Sequence, residues 1–165
     1  LRKSGFQALI WALLMIMIYI ALRFDYKYSP GAIVALIHDV VIIVGIFIVF
    51  DKEFSLQIVG ALLAVIGYSV NDTVVVFDRV REYMNLNKKK QIHEFMNSSL
   101  NSTLSRTINT SLTTFFVLLI IFIFGGEVIR GFMFALMVGV VVGTYSSLFI
   151  ATPIMLDTMK KEEVK

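Results

Sequence analysis

Asp72 is the residue whose type and position best fit it for chemistry. It lies in the run LQIVGALLAVIGYSVNDTVVVF, residues 56–77, and is the only acidic side chain there. A helix of about 20 apolar residues crosses the ~30 Å hydrocarbon core of a bilayer. A carboxylate at such depth costs about 2.5–3.5 kcal/mol on insertion scales, so it faces a partner or a wet cavity and carries function. The chemistry open to such a carboxyl is proton exchange, or Na⁺ coordination with oxygens from Ser69, Asn71 and Thr73 beside it. Asp72 is five residues from the end of its run, about 7–8 Å inside the boundary at ~1.5 Å per residue.

Arg106 opens the next apolar run from the same side, and its long stem reaches inward. An Asp72–Arg106 pair, direct or bridged by water, is expected; the alternative is an Arg106 that snorkels to lipid headgroups. Ser69, Asn71 and Thr73 flank the aspartate, and Thr107, Asn109, Thr110 and Ser111 follow the arginine. Ser69 is one turn before Asp72, and Thr110 one turn after Arg106. Such side chains line a hydrated path or serve as interhelical glue at about 0.6 kcal/mol each. His38-Asp39 is a second polar intrusion, read as early in its span and near the cytoplasmic end. It is placed either to feed protons inward or to anchor the helix start.

Other chemistries find little support. There are no cysteines, so disulfides and thiolate metal sites are excluded. His38 and His93 have no second ligand at helical spacing, so no metal and no cofactor are expected. No nucleophile–base–orienter set appears, and the chain is not read as an enzyme.

The elements that hold these residues are membrane spans. Of 165 residues, 58% are apolar and 16% charged, and the mean hydropathy is +0.82; soluble domains run near 45–50% apolar and about 25% charged. The reading is an all-α membrane protein with five transmembrane helices, at about 5–22, 31–50, 56–77, 107–124 and 131–156. The longest non-apolar stretch is a 29-residue loop, 78–106. Its pattern, with Val80, Tyr83 and Met84 on one face and Ile92, Phe95, Met96 and Leu100 on another, suggests an interfacial helix.

Lys and Arg set the orientation. Eleven of the 15 (Arg23, Lys27, Arg79, Arg81, Lys88, Lys89, Lys90, Arg106, Lys160, Lys161, Lys165) fall on one side, and Arg2, Lys3, Lys52 and Arg130 on the other. The 78–106 loop and the C-terminus are therefore placed in the cytoplasm. Lys88-Lys89-Lys90 has the charge to touch RNA or anionic lipid, but positive-inside bias explains it, and no nucleic-acid partner is expected. Leu1-Arg2-Lys3 runs into apolar residues with no small-residue cleavage site, so it is not read as a signal peptide. A further span and an exported domain are expected upstream.

Gly131, Ala135, Gly139, Gly143, Ser147 and Ala151 recur every four residues in the last span. This small-residue ridge lets another helix approach closely. Gly60 and Ala64 begin a similar ridge leading to Asp72.

Two long motifs carry a family resemblance. GYSVNDTVVVFDRVRE (67–82) and LSRTINTSLTT (104–114) resemble the SecF side of the SecD/SecF protein-export family, in the RND superfamily of proton-driven transporters. His38-Asp39 with its following apolar run, and the glycine-rich last span, are similar too. The resemblance implies helices two to six of a six-helix RND-type half-bundle, in a prokaryotic plasma (inner) membrane. It implies SecD, the SecYEG channel, exported unfolded polypeptide and surrounding lipid as partners, with the proton-motive force as drive. It also implies that Asp72 and Arg106 belong to the proton pathway. A static scaffold, or a small-molecule efflux half, is the rival reading.

Overall fold

The computed structural model describes residues 2–23, 28–52, 55–86 and 92–163. Lys27, Lys88, Lys89, Lys90 and Lys165 lie outside the described residues, as do the side chains of Ile92, His93 and Phe95. The described residues form α1 (Arg2–Arg23), α2 (Ser29–Val49), α3 (Leu56–Leu86), α4 (Ile92–Phe124), α5 (Glu127–Ser146), a π-helical turn (Ser147–Ala151) and α6 (Thr152–Glu163), with no strand among them. All-helical structure follows from apolar runs that must satisfy every backbone group internally.

Among the described residues, four helical stretches are long and apolar enough to cross a membrane: Ser29–Val49, Leu56–Asn85, Met96–Phe124 and Glu127–Met159. The remaining expected span, 5–22, falls in α1, where Ile10–Arg23 is a shorter apolar stretch by the same measure. The segment 78–106, expected as a connection carrying an interfacial helix, is helical on both sides as a continuation of the spans: α3 runs on to Leu86, and α4 begins at Ile92. Both extensions are held by packing. Val80 and Met96 are buried with Phe77, Met155 and Met159 in one apolar cluster.

The ridge on α5 seats α3. A Cβ added at Gly131 would meet Ile58, one at Gly139 would meet Val65, and one at Gly143 would meet Ser69. Both sets of numbers rise together, so α3 and α5 run parallel. A four-residue repeat outruns the ~3.6-residue turn, so the stripe swings about 40° per repeat on a straight helix. The wider π turn falls near the end of this stripe. At its last residue, Ala151 faces α2, where a Cβ on Gly31 would run into the Ala151 carbonyl oxygen.

Among the described residues, two apolar clusters make up the core. One gathers Ala35 of α2, Val76, Phe77 and Val80 of α3, and Leu148, Ala151 and Met155. The other gathers Ile43 and Phe47 of α2, Ile58, Leu62 and Val65 of α3, and Ala135 of α5. α2, α3 and the span made by α5 with its π turn and α6 pass from one cluster to the other, and the residues at the crossing are polar: Asp39 on α2, Ser69, Asp72 and Thr73 on α3, and Ser146 at the end of α5, all buried.

Candidate functional site

The polar layer between the two clusters is the candidate site. Asp39 is the midpoint of the 21-residue α2, not near its start, which corrects the expected placement. Its side chain is 0% exposed. Ser69 Oγ donates to Asp39 Oδ2 at 2.6 Å, while Asp39 Oδ1 has no hydrogen-bond partner. The Ser146 hydroxyl is near enough to act on Asp39 from α5, while its hydrogen bond goes to the Gly143 carbonyl at 3.2 Å. His38 is half-buried and turns the other way, its ring centroid 6.4 Å from that of Tyr145.

Asp72 is 5% exposed, and its Oδ2 lacks a hydrogen-bond partner. Thr73, also buried, spends its hydroxyl on the Ser69 carbonyl at 3.0 Å. Asn71 points outward and is exposed. The helical period explains this split, since successive residues sit about 100° apart and Asp72 and Thr73 share the inner face with Ser69 and Val76.

Arg106 does not close onto Asp72. Among the described residues no ion pair joins them, and Arg106 is exposed. The inward stripe of α4 is Met96, Ser99, Thr103, Thr107 and Ser111, and Arg106 precedes Thr107 by one residue, about 100° off that stripe. Its charge still acts on Asp72 across the gap. Asn109 and Thr110 are exposed beside it, with Thr110 Oγ1 donating to the Arg106 carbonyl at 2.8 Å.

Arg106 lines the mouth of a cleft of about 330 Å³ between α3 and α4, with Val75, Asp78, Arg79, Glu82 and Ser102. Val75 is one turn beyond Asp72, so the cleft approaches the buried carboxyl. Its other charges are committed. Arg79 bridges Glu82 at 2.5 Å and Ser102 at 3.2 Å, and Asp78 bridges Arg23 at 3.2 Å.

A second hydroxyl set ties α4 to the bundle. Tyr68 Oη donates to Ser111 Oγ at 3.5 Å, and Ser111 Oγ lies 2.6 Å from Thr144 Oγ1. Thr144 in turn donates to the Val140 carbonyl at 2.7 Å. Only 11% of the α4 span is buried, against 33–44% of the other three, so these few bonds matter. Ser111→Ala should cost about 0.6 kcal/mol, read as a small drop in melting temperature of the full-length protein. A Ser111→Ala/Thr144→Val double-mutant cycle should recover the coupling.

Thr144 and Ser146 were not picked out from the sequence, although both are hydroxyls in the apolar last span, one and three residues after Gly143. The ridge residues lie inside the bundle. Ala135, Gly139, Gly143, Ser147 and Ala151 are buried, and Gly131 is half-buried.

Known proteins resemble this chain over nearly its whole length. The family described as "Protein export membrane protein SecD/SecF, C-terminal" matches residues 1–161. Protein translocase subunit SecF of Rhodothermus marinus is 52% identical over 163 residues, covering 95% of this chain and 53% of that protein. The subunit of the same name from Calditerrivibrio nitroreducens is 52% identical over 154 residues, covering 92% of this chain and 51% of its own length. A crystal structure of SecDF from Thermus thermophilus, described as a translocon-associated membrane protein, superposes with a TM-score of 0.91 at 38% identity, covering 99% of this chain and 22% of that one. The chain thus spans about half the length of the curated relatives it matches. With motifs, helix arrangement and sequence in agreement, the chain belongs to the SecD/SecF protein-export family, on its SecF side.

Proposed function

We propose that this chain is the membrane-embedded part of a proton-driven subunit of the Sec export machinery. In this reading it sits in the plasma (inner) membrane of a prokaryote, crosses five times with α1 as the first crossing, and keeps its C-terminus in the cytoplasm. SecD supplies the matching half-bundle, the SecYEG channel lies alongside, and the cargo is unfolded polypeptide leaving the cell. The observation that carries this reading is the buried polar layer. Two carboxylates, Asp39 and Asp72, each keep an oxygen without a hydrogen-bond partner between two apolar clusters. Such an arrangement is costly unless its charge state is used.

Asp72 alternates between charged and neutral forms. When charged it attracts Arg106 from the cleft and favours one packing of α3 against α4. When protonated from outside it releases that attraction, and another packing takes over. Loss of the proton through the cleft resets the site. The membrane potential supplies about 2.3 kcal/mol per charge per 100 mV, enough to bias a bundle whose two states differ by a few kcal/mol.

The test uses membrane vesicles holding SecYEG, SecD and the motor SecA, with or without the full-length protein. The protein should speed completion of export, and that increment should vanish when a protonophore collapses the gradient. An increment that survives collapse with the complex intact supports the scaffold reading and sinks this one.

A further inference from the structure

We propose that Ser69 relays a proton between Asp72 and Asp39, which makes Asp39 the second proton-holding group of the site. The inference rests on the proton reading above and adds a route inside the bundle.

Ser69 is 0% exposed and already donates to Asp39 at 2.6 Å. Asp72 is three residues further along α3, on the adjoining turn, with its Oδ2 unpartnered. The backbone of Ser69 is held in place. Its carbonyl accepts from Thr73 at 3.0 Å, and its Cβ is so close to α5 that a Cβ on Gly143 would stand 3.1 Å away. What stays free is rotation of the hydroxyl, which offers one hydrogen and two lone pairs. Ser69 is thereby able to donate to one carboxyl while accepting from the other. Among the described residues, His38, Ser69 and Ser146 act on Asp39, and Arg106 acts on Asp72. No cation forms an ion pair with either aspartate among those residues, and the Ser69 hydroxyl, bonded to Asp39 and one turn from Asp72 on the same helix face, lies between them.

The step balances. The O–H bond of protonated Asp39 breaks as its proton passes to a lone pair of Ser69 Oγ. At the same time the Ser69 hydroxyl proton passes to the Asp72 carboxylate, where a new O–H bond forms. Ser69 ends with the atoms it began with and resets by rotating. Asp39 is left as a carboxylate that accepts from Ser69, the arrangement seen at 2.6 Å. Titrations of two groups this closely linked are coupled rather than independent.

The test is infrared difference spectroscopy of the full-length protein with SecD in membranes, titrated across the neutral range. Asp72→Asn and Asp39→Asn assign the two carboxyl bands. In the wild type the Asp39 band should move with the Asp72 band. In Ser69→Ala the Asp72 band should still titrate while the Asp39 band no longer follows, and Ser69→Thr, which keeps the hydroxyl, should restore the link. An Asp39 band that is silent in the wild type, or that follows Asp72 undiminished in Ser69→Ala, overturns the relay while leaving Asp72 as a proton carrier. An Asp72 band that never titrates sinks the proton reading itself. Should Ser69→Ala fail to assemble, the Asp39 band in Asp72→Asn decides. It should shift from its wild-type position, and an unchanged band overturns the relay.

Discussion

Asp72→Asn, made in the full-length protein, should assemble with SecD and SecYEG at wild-type yield and lose the whole proton-dependent increment of export. Asn matches Asp in shape and volume but has no exchangeable acid proton. The carboxylate is 5% exposed, and its Oδ2 has no hydrogen-bond partner. An unpaired buried charge costs folding free energy, and a neutral isostere relieves that cost. Melting of the variant should therefore equal or exceed that of the wild type, so lost export cannot be ascribed to unfolding. The measurement pairs vesicle export, with and without a proton gradient, with co-purification of the complex. Retained gradient-dependent export in Asp72→Asn would mean that the buried aspartate is a structural feature and that Arg106 has no switching role. Asp72→Glu is the companion variant. It keeps the acid but lengthens the stem in a closely packed layer, and should retain a reduced increment.

The layer that holds Asp72 was partly legible in the sequence. An aspartate among apolar residues is visible in any reading, because its cost in lipid does not depend on how helices pack. The small-residue ridge is visible for the same reason, since period four survives into structure. Directions were harder to read. Asp72 and Arg106 share a depth, yet depth says nothing about rotation around each helix, and Arg106 falls one residue off the inward stripe of α4. Asp39 lay hidden as a helix-start residue because loop and span boundaries are weak in sequence; once α2 is fixed as Ser29–Val49, it becomes the midpoint. The helical character of 78–106 was legible in its apolar spacing, but its continuity with the spans was not, because charged residues interrupt the apolar pattern. Val80 and Met96, which pack beneath the helical extensions, each contribute a single apolar position. The π turn left no readable mark, because it answers a packing drift that exists only between helices.

Gly139→Ala should damage the protein more than any other single methyl added along the ridge. A Cβ there would stand 2.0 Å from Val65 Cγ2, 2.7 Å from Cγ1 and 2.9 Å from Cβ. Rotating the valine does not relieve this, because its own Cβ is among the obstructing atoms and β-branching leaves it few rotamers. Val65 is 1% exposed, with packed neighbours on every side. The helices themselves must part, and overpacking of this kind costs about 1–3 kcal/mol. Gly131→Ala is the control, since its added Cβ would approach only Ile58 Cδ1, at 3.7 Å, an ordinary contact. Thermal melting of the two full-length variants in detergent should separate them, with Gly139→Ala well below wild type and Gly131→Ala close to it. Equal melting would mean that α3 and α5 are not held as closely as their packing indicates. The damage should also reach the site. Gly143 meets Ser69 one turn beyond Gly139 on the same contact line, and Ser69 is the donor to Asp39. Parting α3 from α5 therefore loosens the wall against which the serine is seated, so Gly139→Ala should lose export activity even at temperatures where it remains folded.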